Sequence, residues 1–133
     1  MYKQMQFSIE AELMLDFYKN EILKNKNKKV ARNYLIRKAL KDINKTHISL
    51  YDFDWNEIEN CYVDTLDYYS ENKVYKKTNA TINLSNEEIE LIEKLRMYIF
   101  EKYERNLYFA GTVKLIFKNA ILINLNKIYL KED

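Results

Sequence analysis

The chain has 133 residues, 22 Lys and Arg against 20 Asp and Glu, one Cys, one His, one Gly and no Pro, with 47% hydrophobic and 32% charged residues, which fits one domain with a real core. One Cys and one His exclude a disulfide framework, zinc-finger spacing and His-rich metal sites, and one Gly without Pro excludes glycine loops that cradle phosphate. The net charge of +2 hides blocks of +6 over residues 1–45 (11 basic, 5 acidic), −7 over 46–72 (none, 7) and +3 over 73–133 (11, 8).

Met5, Phe7 and Ile9 alternate with Gln4, Gln6 and Ser8, the period-two signature of a half-buried strand. Leu13, Met14, Phe17, Tyr18 and Ile22 then recur at helical spacing and predict a helix with one apolar stripe. The polar run 25–29 ends it. A second helix follows, with Val30, Tyr34, Leu35, Ala39, Leu40 and Ile43 inward and Arg32, Arg37, Lys38 and Lys41 outward.

In the acidic middle, Ile48, Leu50, Phe53 and Trp55 read as an extended edge. Asp54 or Asn56 then caps a short helix through Tyr68, with Cys61 inside it and Ile58, Val63, Leu66 and Tyr69 inward. A second strand is predicted where Ala80, Ile82 and Leu84 alternate with Thr81, Asn83 and Ser85. Ser85 or Asn86 caps the next helix, Ser85-Asn86-Glu87-Glu88 fits a capping box, and Ile89, Ile92, Leu95, Ile99 and Tyr103 form the stripe. A break near Gly111 leads into 112–130. There Val113, Ile116, Phe117, Ala120 and Ile121 fit a buried helix through Asn124, while Val113, Leu115 and Phe117 also fit a strand, and the helix is favoured.

The predicted fold class is therefore α+β and mostly helical: a short strand followed by two helices, duplicated over 3–45 and 79–124 within one domain. The units are 1–45 and 79–133, joined by an acidic, Tyr-rich connector at 46–78.

Gln6-Phe7-Ser8-Ile9, together with Ala31-Arg32-Asn33-Tyr34-Leu35-Ile36-Arg37-Lys38-Ala39-Leu40, resembles the ribbon-helix-helix DNA-binding family, the Arc and MetJ class, over residues 3–45. Residues 81–84 and 115–121 are a looser echo of the same two pieces. The resemblance implies a β-ribbon that reads base edges in the major groove of duplex DNA. The reading side chains would be Gln4, Gln6 and Ser8 in the first unit and Thr81, Asn83 and Ser85 in the second. It also implies a phosphate held at the amino end of the second helix, here by Lys28, Lys29 and Arg32. The expected Ser/Thr N-cap is missing there. Family ribbons work in pairs, which implies a homodimer or a pseudo-dimer within one chain.

The function expected is that of a repressor, partition factor or mobile-element accessory factor, with no catalytic residues, cofactor or metal. The alternative is a non-enzymatic protein–protein module, such as a phage or virus assembly component or an inhibitor of a host factor, acting through the acidic segment Asp52–Tyr69. Asp52, Asp54, Glu57, Glu59, Asp64 and Asp67 could hold Mg²⁺, but no partner group accompanies them, and a solvated loop is the favoured reading. Met1–Ile9 lacks the apolar core of a signal peptide and no run is long enough to span a bilayer, so a cytoplasmic protein without membrane contact is expected.

Overall fold

In the computed structural model, which describes residues 1–71 and 73–132, the alternating segment Tyr2–Phe7 is strand β1. Met5 and Phe7 point into the core, and Tyr2, Gln4 and Gln6 face solvent. Its partner is β2, Thr78–Asn83, antiparallel and in the same chain, with Gln4 opposite Thr81 and Gln6 opposite Asn79. Ile82 and Leu84 bury the inner side of this second segment.

Helix α1, Ile9–Phe17, starts at Ser8, whose Oγ accepts from the Ala11 amide at 3.1 Å, and it widens into a π-helical turn over Tyr18–Ile22. Lys24 and Asn27 take left-handed backbone conformations and turn the chain toward α2, Arg32–Asn44. Leu35, Ile36, Ala39 and Ile43 form the buried stripe of α2, as the spacing predicts. The fully buried Tyr18 donates its hydroxyl to Asp42 of α2.

The middle segment is part of the core. Phe53, Trp55 and Ile58 are completely buried, and the predicted single helix is split into α3, Trp55–Asn60, and α4, Asp64–Ser70. Asp54 caps α3 through a bond from the Glu57 amide. At the break Lys118, itself buried, donates to the carbonyls of Glu59 and Cys61, which lie outside a continuous helical ladder. Cys61 accordingly sits at the end of α3, in extended conformation. The expected edge strand is reduced to one bridge between Phe53 and Leu130.

Ser85 caps α5, Asn86–Tyr103, in a complete capping box with Glu88. The helix ends at Glu104, a non-glycine residue at φ 56°, and the chain breaks over 104–108, ahead of the predicted position. Gly111 lies within the first turn of α6, Phe109–Asn124, where a Cβ would meet the Leu107 side chain at 3.4 Å. Helix α6 is buried nearly all round and packs on α1, α2, α3 and α5, so the ambiguous segment is helical through Asn124. A helix buried on nearly every side is one that occupies a core. Among the described residues no helix is long and apolar enough to cross a membrane.

The order strand, helix, helix thus occurs twice. Ser8 and Ser85, Ile9 and Asn86, and Arg32 and Phe109 are each 77 positions apart, so the cap, the start of the first helix and the start of the second repeat at one interval. The longer first helix of the second unit is offset by its shorter loop.

Candidate nucleic-acid interface

Alternation places one row of side chains on the open face of the ribbon. Tyr2, Gln4 and Gln6 come from β1 and Asn79, Thr81 and Asn83 from β2, and all six are exposed. Cross-strand pairing sets Tyr2 opposite Asn83 and Gln6 opposite Asn79, on either side of the central Gln4–Thr81 pair. Four amides, one hydroxyl and a phenol supply donors and acceptors on one face, with no charged side chain in the row.

Gln4, Gln6, Thr81 and Asn83 therefore stand where the sequence pattern puts them. Ser8 and Ser85 do not belong to the row. Both lie just past their strands with hydroxyls turned to the helix amides of Ala11 and Glu88. An N-cap serine directly after a strand continues the strand's alternation by one step, which is why periodicity includes it. Tyr2 and Asn79 were legible by the same period and simply lie one step earlier on each strand.

Of the residues expected at the amino end of α2, Lys28 and Lys29 are exposed, while Arg32 is engaged. Arg32 Nη2 donates to both carboxylate oxygens of Glu12 at 2.8 and 2.9 Å, and the guanidinium lies over the Phe7 ring at 5.1 Å. Its charge is thus largely matched on the protein itself. Ala31 provides no side-chain cap, so the first amides of α2 keep their donor capacity.

Two clefts lie near the ribbon, one between α1, the start of α2 and the chain entering β2, the other between β1, α5 and the start of α6. The first is lined by Glu12, Asp16, Lys19, Arg32 and Lys73, the second by Lys3, Glu93, Arg96, Phe109 and Lys114. The repeat interval equates Asp16 with Glu93 and Lys19 with Arg96, and each acid pairs with its own cation, at 3.8 and 2.9 Å. A further lysine joins each pair, Lys73 on Asp16 at 2.9 Å and Lys3 on Glu93 at 4.0 Å.

Asp16 also accepts from the Tyr75 hydroxyl at 2.8 Å, which fastens the chain leading into β2 onto α1. Burial pushes its carboxyl up, but the bonds from Lys73 and Tyr75 and the charges of Lys73 and Lys19 outweigh it and hold the group below its ordinary value of 3.8. A carboxylate with a lowered folded value stabilises the fold above its ordinary value, and that contribution is lost as pH falls through the lowered one. The stability gap between the wild type and Asp16→Asn is therefore expected to be widest at neutral pH and to close below about pH 4. Urea midpoints across pH 2–7 measure it, and a pH-independent gap would remove Asp16 from this role.

Arg37, outward on the second helix as its spacing predicts, has partners that are distant in the chain. It bonds both oxygens of Glu88 and the Asn83 carbonyl, clamping the end of β2 to α2. The acids of the middle segment are separated: Asp52 meets Lys131, Glu59 meets Arg105, and Asp54 serves as the cap of α3. Among the described residues no three His, Cys, Asp or Glu side chains converge to hold a metal ion. His47 is exposed on a left-handed turn, and the half-buried Cys61 thiol donates to the Ile58 carbonyl.

Comparison of the chain with protein-family models, with curated proteins and with solved structures finds no match.

Proposed function

We propose that this chain is a sequence-specific DNA-binding protein of the ribbon-helix-helix kind, serving as a repressor, partition factor or mobile-element accessory factor, and that β1 and β2 together enter the major groove. The observation that carries this reading is the intrachain antiparallel pairing of β1 and β2 with an uncharged polar row outward. Two strands about 4.8 Å apart fit a groove about 12 Å wide, and Gln, Asn and Thr side chains match base-edge donors and acceptors. Lys28 and Lys29 before α2, and Lys76 and Lys77 before β2, are exposed cations suited to phosphate contact.

Electrophoretic mobility shift and salt titration test it. Binding to duplex DNA is expected at ~50 mM salt and falls steeply as salt rises. Lys29→Ala should weaken binding to all sequences alike, whereas Gln6→Ala should relax preference at one base pair by about 1–3 kcal/mol. No affinity for duplex DNA at ~50 mM salt overturns the proposal.

A further inference from the structure

The two strand–helix–helix units repeat in backbone but not in the side chains they present. The constant interval equates Gln4 with Thr81, and the sheet register sets those same two residues opposite each other. A local twofold axis therefore passes through the Gln4–Thr81 pair. It exchanges Gln6 with Asn83 and Asn79 with Tyr2. One end of the ribbon consequently offers two amides, Gln6 and Asn79, while the other offers a phenol, Tyr2, and an amide, Asn83, whose Oδ1 accepts from the Met1 amino group at 3.2 Å.

The flanks differ in the same sense. The interval equates Lys28 with Arg105, Lys29 with Asn106 and Arg32 with Phe109. Lys28 and Lys29 are exposed cations just ahead of Arg32, whose guanidinium lies over Phe7 beside Gln6, whereas Arg105 is bonded to Glu59 and the remaining two equivalents carry no charge. A ribbon built from two identical chains would show the same groups at both ends and would call for a site with matching halves.

Resting on the DNA-binding reading, we infer that a single chain occupies a duplex site without twofold symmetry. Gln6 and Asn79 read one half of that site, Tyr2 and Asn83 read the other, and Lys28 and Lys29 fix which way round the protein lies. Amides suit adenine edges through paired donor and acceptor, while the tyrosine ring adds an apolar surface for a thymine methyl. The discrimination between halves therefore comes from the Tyr2–Asn83 end being chemically unlike the Gln6–Asn79 end. The phosphate grip comes mainly from the latter.

The test is selection of bound duplexes from a randomised library by the purified full chain, with stoichiometry of the complex measured by analytical ultracentrifugation. One chain per site and a motif that is not an inverted repeat are expected. Replacing the Tyr2–Asn83 half-site by an inverted copy of the other half should weaken binding about tenfold or more. The double variant Tyr2→Asn with Asn83→Gln gives both ribbon ends the same pair of side chains, and its selected motif should become an inverted repeat outside the central pairs faced by the unlike Gln4 and Thr81. All four end residues are exposed, so these substitutions leave the core untouched. An inverted-repeat motif for the wild type, two chains on the minimal site, or a double variant with an unchanged motif overturns the inference while leaving DNA binding intact. Absence of duplex binding at ~50 mM salt instead removes the reading on which it rests.

Discussion

Trp55→Ala is expected to cost about 3–5 kcal/mol of folding stability, a third or more of what a domain of this size commonly has. The indole is completely buried, stacks edge-on against Phe53 at 5.9 Å, and donates Nε1–H to the Leu50 carbonyl at 2.6 Å. Truncation removes a large apolar volume from a close-packed region and leaves that carbonyl without its donor. Trp55→Phe keeps most of the volume and loses the hydrogen bond, so a loss nearer 1 kcal/mol is expected. Urea unfolding followed by far-ultraviolet circular dichroism measures both, since the variants lack the chain's sole tryptophan. A loss below about 1 kcal/mol for the alanine variant would show that segment 46–72 merely drapes over the two units.

Lys118→Met is expected to destabilise by about 2–4 kcal/mol. Its ammonium is buried and bonded to the carbonyls of Glu59 and Cys61 at 2.9 and 2.8 Å. A buried charge is tolerated only where hydrogen bonds replace its water, and here they are supplied by carbonyls that α3 leaves without helical partners. Methionine preserves the length of the side chain but provides no donor, so the two carbonyls lose theirs. The relief from burying an ammonium offsets only part of that loss. A second readout follows from position: with the break between α3 and α4 loosened, the Cys61 thiol should react faster with a thiol reagent than in the wild type. Unchanged stability together with unchanged Cys61 reactivity would show that the break is set locally.

Those two residues also mark the limit of what the sequence shows. The strands, the capping box of α5 and the stripe of α2 follow from local periodicity and short-range capping, and all three are legible from neighbouring residues alone. The carbonyls at the split between α3 and α4 are bonded by a lysine 57 positions away from Cys61. The end of α5 rests on Glu104 adopting a left-handed conformation its residue type does not favour. At the candidate interface, four of the six residues expected on the ribbon lie in the outward row. The two serines leave it because capping competes for their hydroxyls. Arg32 is likewise claimed by Glu12 and Phe7, partners that only the packing of α1, α2 and β1 brings together.

The antiparallel pairing of β1 with β2 joins Tyr2 to Asn83, so the first strand made has to wait for a partner encoded in the second half of the chain. Helix α6, on which most of the other helices pack, is made later still. During synthesis the amino-terminal unit therefore leaves the ribosome with Met5 and Phe7 uncovered and with a free strand edge. Such edges pair readily with other chains. Closing contacts of so long a sequence separation is slow relative to local helix formation. The ribbon therefore closes late, and its open edge is the part of the molecule most in need of protection while the chain is incomplete.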